Sequence, residues 1–276
     1  MERKVFGRTG TQVSEIGMGT YYDPLWIAKA FLGWRSGSKE KIAALKSGLD
    51  AGVTLINSAE IYGSEPLVAK ALEGRKRDEL FVSTKVWSIH LHRDAIKRAL
   101  AKSLSRLKLS YVDLYLIHFP NPRVPIGETM AGMEDLIRDG KVLHAGVSNF
   151  SIDQLRAANE ALPKSQLASV ELEYNLKNRR VETDILPYCD REGIALLAYF
   201  PLAHGKLASD SRLRALCSRL GKTPSQLALR WLATKPNVFP IPRASRQAHV
   251  EENLGASGWQ LAPGDASELE SIYQQS

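Results

Sequence analysis

The feature that most constrains this chain is an alternation. Short apolar runs of strand length recur at residues 54–56, 80–83, 112–117, 145–147, 167–170, 195–199 and 238–241. Between them lie longer stretches with the period of amphipathic helices. In residues 39–51 the apolar positions are Ile42, Leu45 and Leu49; in 93–107 they are Ile96, Leu100 and Leu104. Further helices fit 128–138, 152–161, 183–192, 224–233 and 246–254. With a first strand near 14–19, eight strands result, each followed by a helix or by a long loop leading to one.

Strands that alternate with helices imply a parallel sheet with right-handed crossovers. Two architectures satisfy this, an open doubly wound sheet and a closed barrel. Eight units in 276 residues point to the α/β class and a (β/α)8 TIM barrel. No linker rich in Pro, Gly or Ser divides the chain, so residues 1–276 read as a single domain. Residues 4–6 followed by Gly7-Arg8-Thr9-Gly10 have the character of a short N-terminal β-hairpin. Two stretches lack a regular period: 21–38, with Trp26, Phe31 and Trp34, and 204–210. On a barrel both fall on the C-terminal face, where active sites form. The aromatics there either pack the loop onto the barrel or wall an apolar pocket.

Composition mainly excludes. The net charge of +7 suits nucleic acid or an anionic small ligand. Lys and Arg are interleaved with Asp and Glu, and the tightest cluster, Arg75-Lys76-Arg77, has no aromatic-and-basic stripe beside it, so nucleic acid is not expected. No apolar run approaches the ~20 residues that cross a bilayer, and residues 1–7 lack a secretory apolar stretch. A cytoplasmic protein is expected. Two cysteines, Cys189 and Cys217, suit neither a disulfide framework nor a thiolate metal site. His90 and His92 read as loop histidines, and no metal is expected. Gly17-Met18-Gly19 lacks the third glycine of a dinucleotide fingerprint.

The informative residues are polar ones at or just past strand ends. Asn57 ends 54–56, Tyr62 follows in Ala59-Glu60-Ile61-Tyr62-Gly63, Lys85 ends 81–84, and His118 ends 115–117. A single Lys or His there is usually a packed or hydrogen-bonded residue. Three successive parallel strands ending this way bring such groups together.

Over essentially its full length the chain resembles an aldo-keto reductase. Residues 52–63 resemble the family's motif with an Asp and, five residues on, a Tyr. Ser83-Thr84-Lys85-Val86 resembles the segment bearing its Lys, and residues 112–118 that bearing its His. Gly146-Val147-Ser148-Asn149-Phe150, Ala198-Tyr199-Phe200-Pro201-Leu202 and Ile241-Pro242-Arg243 through Asn253 resemble its cofactor-binding segments. The resemblance implies NADPH-dependent, reversible reduction of aldehydes or ketones to alcohols. Tyr62 would then be the general acid; a free phenol has a pKa of about 10, and a Lys85 cation nearby would lower it. His118 would orient the substrate oxygen.

Two positions depart from the family. Asn57 stands in place of the Asp, which keeps open a second reading: a weak or inactive NADPH-binding sensor or regulatory subunit. Glu171 stands where the family has Gln. It is read either as a contact to the nicotinamide carboxamide or as a carboxylate that returns the charge missing at Asn57.

By the same resemblance, Ser148, Asn149 and Glu171 would hold the carboxamide, and Tyr199 would stack on the nicotinamide. Gly19, Thr20, Pro201 and Leu202 would border the cofactor. Arg243, Ala244, Ser245 and Arg246, with His249, Glu252 and Asn253 on the next helix, would hold the adenosine end. Two arginines beside this motif favour NADPH over NADH, since Arg binds phosphate bidentately. Tyr21, Tyr22, Trp26, Trp87 and Phe119 are candidates for the substrate pocket. The chain ends soon after a helix around 266–273, without the long C-terminal loop of some relatives, which suggests broad specificity. The expected partner is a small carbonyl or alcohol, and a monomer is the simplest expectation.

Overall fold

The chain is described by a computed structural model that covers residues 1–162 and 164–274. It opens with an antiparallel hairpin, β1 (Arg3–Val5) and β2 (Gln12–Ser14). Eight parallel strands follow: β3 (Met18–Gly19), β4 (Leu55–Asn57), β5 (Phe81–Val86), β6 (Val112–Ile117), β7 (Val142–Ser148), β8 (Ser169–Glu173), β9 (Ala195–Tyr199) and β10 (Val238–Pro240). They are hydrogen-bonded in chain order. The ring closes where Gly19 forms a parallel bridge with Arg243, and the Gly17 and Gly19 amides donate to the carbonyls of Pro240 and Pro242. A Cβ on Gly19 would lie 2.8 Å from the Ile241 carbonyl oxygen, so this seam needs a residue without one. The fold is the expected (β/α)8 barrel with an N-terminal hairpin.

The outer layer is helical. After β3 come α1 (Pro24–Phe31) and α2 (Ser38–Asp50), and after β4 comes α3 (Glu65–Leu72). Next are α4 (Arg93–Leu107), α5 (Ile126–Arg138), α6 (Ile152–Glu160) and α7 (Ile185–Glu192). Both α8 (Arg214–Leu220) and α9 (Pro224–Ala233) precede β10, with α10 (Gln247–Leu254) and α11 (Pro263–Gln274) after it. Local chemistry sets several starts: Ser151 with Gln154, and Thr223 with Gln226, form capping boxes for α6 and α9. Helices α1, α3 and α8 are not evident in the sequence pattern. In α3 the buried residues Glu65, Leu67, Val68, Ala69, Ala71 and Leu72 wrap most of its circumference, which erases the polar face that periodicity detects. No described helix is long and apolar enough to cross a membrane.

Strand parity divides the core in two, because successive side chains point to opposite faces. Ile56, Val82, Tyr115, Ile117, Val147, Val170, Leu196 and Val238 face outward into the layer shared with the helices. Leu55, Phe81, Leu114, Leu116, Ala195, Leu197, Phe239 and Ile241 face inward and fill the barrel with Phe6 and Val13. Phe6 stands against Phe81 and Phe239, at ring-centroid distances of 4.6 and 4.9 Å. The hairpin thereby plugs the N-terminal end, leaving the other end open.

Candidate active site

Each inward-facing row continues toward the C-terminal ends of the strands, and there it turns polar. Asn57 follows Leu55, Ser83 and Lys85 follow Phe81, His118 follows Leu116, and Glu171 follows Ser169. Lys85 is fully buried. Its ammonium donates to Asn57 Oδ1 at 2.7 Å and to the Ser58 carbonyl at 3.1 Å. It also pairs with Glu171 Oε1 at 3.0 Å. The Asn57 amide donates to Glu171 Oε2 at 2.8 Å and to Ser83 Oγ at 3.1 Å. Lysine, amide and carboxylate thus form a closed triangle.

Tyr62 lies on the 3-10 turn Glu60–Tyr62, which Gly63 ends in the left-handed region at φ 66°. Its hydroxyl is 3.4 Å from His118 Nε2, and Lys85 Nζ lies 5.0 Å from its ring centroid. Burial and the Glu171 charge, with smaller contributions from Tyr21 and Tyr199, hold the phenol well above its ordinary 10. In this structure those upward effects outweigh the lowering expected from Lys85. The phenol is therefore protonated, as an acid must be before it acts. Burial, reinforced by Lys85, pushes His118 down to about 3, so its imidazole is neutral. Burial also lowers the Lys85 pKa, and Glu171 opposes that shift.

Asn57, Tyr62 and Glu171 line a cavity of about 490 Å³, together with Gly19, Tyr21, Tyr22, Tyr199, Pro201, Leu202 and Arg243. That is within the range of small-molecule sites. Thr20 is buried beneath it, its hydroxyl donating to the Asn57 carbonyl at 3.0 Å. Ser148 ends β7 and Asn149 follows it. Asn149, at φ 62°, donates to the His118 carbonyl and to Ser148 Oγ, and accepts from the Tyr199 hydroxyl at 2.8 Å. This chain of contacts fixes the Tyr199 ring on the cavity wall.

At the other end of the cavity, the Arg243 guanidinium donates to the Tyr22 carbonyl. Ala244 is buried, Ser245 half-buried and Arg246 exposed. Arg246 is the N-cap of α10, and no side chain caps that helix, so its first amides are available to an anion. On α10, His249 is exposed, Glu252 half-buried and Asn253 buried. These groups fit a nicotinamide dinucleotide: a pocket of adequate size, a tyrosine wall, and cationic groups beside a free helix N-terminus.

Several pocket candidates are placed differently. Trp26 is buried on α1, edge-on to Tyr22, and its indole donates to the Ser36 carbonyl at 3.0 Å. It packs the loop and does not line the cavity. Phe31 and Trp34 face solvent. Trp87 and Phe119 lie outside the cavity lining; Phe119 stacks on His118 at 5.0 Å, with Trp87 edge-on to both rings. They flank the imidazole as a side wall.

Two contributions were not legible in the sequence. Glu60 accepts from the Trp87 amide at 2.8 Å and lies 2.8 Å from His90 Nδ1, tying the Tyr62 turn to the next loop. Phe200 and His204, at φ 45° and 57°, line the cavity from the loop after β9. Only the contact across the barrel marks the first, and non-glycine residues give no sequence signal of a left-handed backbone.

Residues 15–274 match the sequence profile described as the Aldo/keto reductase family. The chain is 31% identical to methylglyoxal reductase YeaE of Escherichia coli (strain K12), over 99% of this chain and 96% of that protein. It is 30% identical to aldo-keto reductase YhdN of Bacillus subtilis (strain 168), over 99% and 94%. Among solved structures it is similar to the thermostable aldo-keto reductase Tm1743 in complex with the inhibitor epalrestat, with TM-score 0.90 and 36% identity over 99% of this chain and 100% of that one. It is also similar to an aldo/keto reductase from Klebsiella pneumoniae in complex with NADP and acetate, with TM-score 0.87 and 31% identity over 99% and 96%. With the barrel and this arrangement at its open end, the chain belongs to the aldo/keto reductase family and is an NAD(P)H-dependent oxidoreductase.

Proposed function

We propose that the protein reduces aldehydes or ketones to alcohols with NADPH, and that Tyr62 donates the proton. The observation that carries this reading is the meeting of the Tyr62 hydroxyl and His118 Nε2, 3.4 Å apart, with Tyr62 lining the cavity and the buried Lys85 ammonium 5.0 Å from its ring centroid. A carbonyl oxygen between those two groups receives a hydrogen bond from each. His118, neutral because its pKa is held near about 3, orients the oxygen through an Nε2–H. As negative charge develops there, the Tyr62 proton moves to it, and the phenolate left behind faces the Lys85 ammonium. Tyr199 on the cavity wall would hold a reduced nicotinamide, which would supply the hydride. Tyr21, edge-on to Tyr62 at 5.2 Å, helps keep water from competing for the Tyr62 proton.

Arg243, Arg246 and the uncapped start of α10 support a preference for the 2′-phosphorylated cofactor. Methylglyoxal reductases among the relatives make small 2-oxoaldehydes the first substrates to try. The test is NADPH oxidation with methylglyoxal and a panel of aliphatic and aromatic aldehydes, with Tyr62→Phe as control. The expected result is turnover that falls by on the order of 10²–10⁴-fold in the control, while NADPH binding persists. Tight NADPH binding without turnover in the parent protein would instead favour a sensor.

A further inference from the structure

We propose that Glu171 is the counter-anion of Lys85, and that residue 57 is an amide because residue 171 carries the charge. The inference rests on the reductase reading for its kinetic consequences, and on the geometry alone for its electrostatic ones. Lys85 is fully buried, and Glu171 is the only acidic side chain that pairs with it among the described residues. Removing the anion from a buried ion pair is strongly unfavourable.

Hydrogen-bond bookkeeping fixes who does what. Glu171 presents two acceptor oxygens to two donors, Lys85 Nζ at 3.0 Å and Asn57 Nδ2 at 2.8 Å. A carboxylate satisfies both, whereas a glutamine would turn its own NH₂ toward one of them. Asn57 uses three of its four hydrogen-bonding positions, including both N–H donors: Oδ1 accepts from Lys85, and Nδ2 donates to Glu171 and to Ser83. An aspartate at 57 would place a carboxylate oxygen against Glu171 Oε2 at that 2.8 Å contact. The two positions are therefore coupled: one anion, on either side of the lysine, but not both.

The charge matters because of what surrounds it. The titratable groups facing Lys85 are Glu171 on β8, Tyr62 after β4 and His118 at the end of β6; Tyr21 and Tyr199 face Tyr62 in turn. No bond is made or broken at Glu171. It is a positioning residue that keeps the ammonium charged and aimed beneath Tyr62.

The test compares Glu171→Gln, Asn57→Asp and the double variant N57D/E171Q with the parent, by the pH profile of kcat/KM and by melting of the cofactor-free proteins. In E171Q the basic limb is expected to move down by about one pH unit or more, so turnover above the limb falls roughly 10-fold per unit. N57D, with two carboxylates on one ammonium, is expected to lose kcat while its basic limb moves up. The double variant returns the limb close to the parental position. In melting, the deficit of E171Q is largest near neutral pH, where the parent holds the ion pair, and narrows as pH rises further, because an unpartnered Lys85 binds its proton less readily folded than unfolded. The double variant removes that pH-dependent deficit. An E171Q that keeps the parental limb and only weakens NADPH binding would overturn the proposal, as would a gain in kcat from N57D alone. A parent protein without turnover sinks the reductase reading alone; the melting series then still decides the role of Glu171, and E171Q melting parallel to the parent at every pH rejects it.

Discussion

Two lysines mark opposite ends of this barrel, one half-buried and one fully buried, and they are held in different ways. Lys4, in the hairpin that plugs the N-terminal end, donates to the carbonyls of Ala233, Lys235 and Val238 at 3.0, 3.0 and 2.7 Å. Its ammonium also lies 4.7 Å from the Phe239 ring centroid. Lys85, at the open end, has one carbonyl, one amide oxygen and one carboxylate. Burial pushes both lysines down, Lys4 to about 8, with Glu15 pulling it up and Arg230 down. Backbone carbonyls are fixed dipoles on rigid elements, so Lys4 is a clamp. A carboxylate can lose its charge and face a phenol and an imidazole, so Lys85 sits in an adjustable site. The comparison separates two uses of one residue type: closing a fold, and holding charge where chemistry develops.

The largest expected effect comes from breaking the upper site. Lys85→Met should lower kcat/KM by on the order of 10²–10⁴-fold, read by steady-state kinetics. If most turnover survived, Lys85 would be a packing group like its counterpart and the contrast would fail. Next is the ion pair beneath Lys4. Arg230 reaches both oxygens of buried Glu15 at 2.9 and 3.0 Å, and Arg230→Leu strands that carboxylate. A loss of about 3–5 kcal/mol in urea denaturation is expected, with the kinetics of the folded protein unaltered. A smaller loss, about 1–3 kcal/mol, is expected of Lys4→Met, which leaves three carbonyls without their donor but keeps the contact with Phe239. A fall in kcat in that variant would show that the two ends are coupled.

The smallest effect is a predicted absence. With His118 held near about 3, the profile of kcat/KM should show no inflection at the ordinary histidine value of about 6.5. The sign for stability follows from the same displacement. The folded protein prefers the neutral ring, so this contribution is full above about 6.5 and is lost as pH falls toward about 3. NMR titration of the imidazole checks both; a midpoint near 6.5 would mean that water reaches the ring.

Much of the site was readable because it is an extension of strand parity. Once residues 81–84 are recognised as a strand, Lys85 lies on the same face as Phe81, and His118 stands to Leu116 in the same way. Glu171 was harder. The strand signal at 167–170 stops short of the real end of β8 at Glu173, so nothing local says that the side chain points at Lys85 rather than at a cofactor. The aromatics of the loop after β3 were least legible. Trp26, Phe31 and Trp34 are similar in sequence terms, yet one is buried and two face solvent: the turn of α1 decides between Trp26 and Phe31, and Trp34 lies past the end of that helix.

The sequence by itself determined the alternation of eight strands with helices, and with it the α/β class to which the barrel belongs. That information is periodic and local, carried by short apolar runs and by the helical period between them. It also determined that Asn57, Lys85 and His118 meet, since parallel strands bring their C-terminal ends to one rim, while the place of Tyr62 came from the family resemblance. Only the tertiary structure decided where the negative charge sits. Asn57 and Glu171 are 114 positions apart, and whether a carboxylate reaches a lysine across a barrel depends on strand register and side-chain direction, which no local pattern encodes.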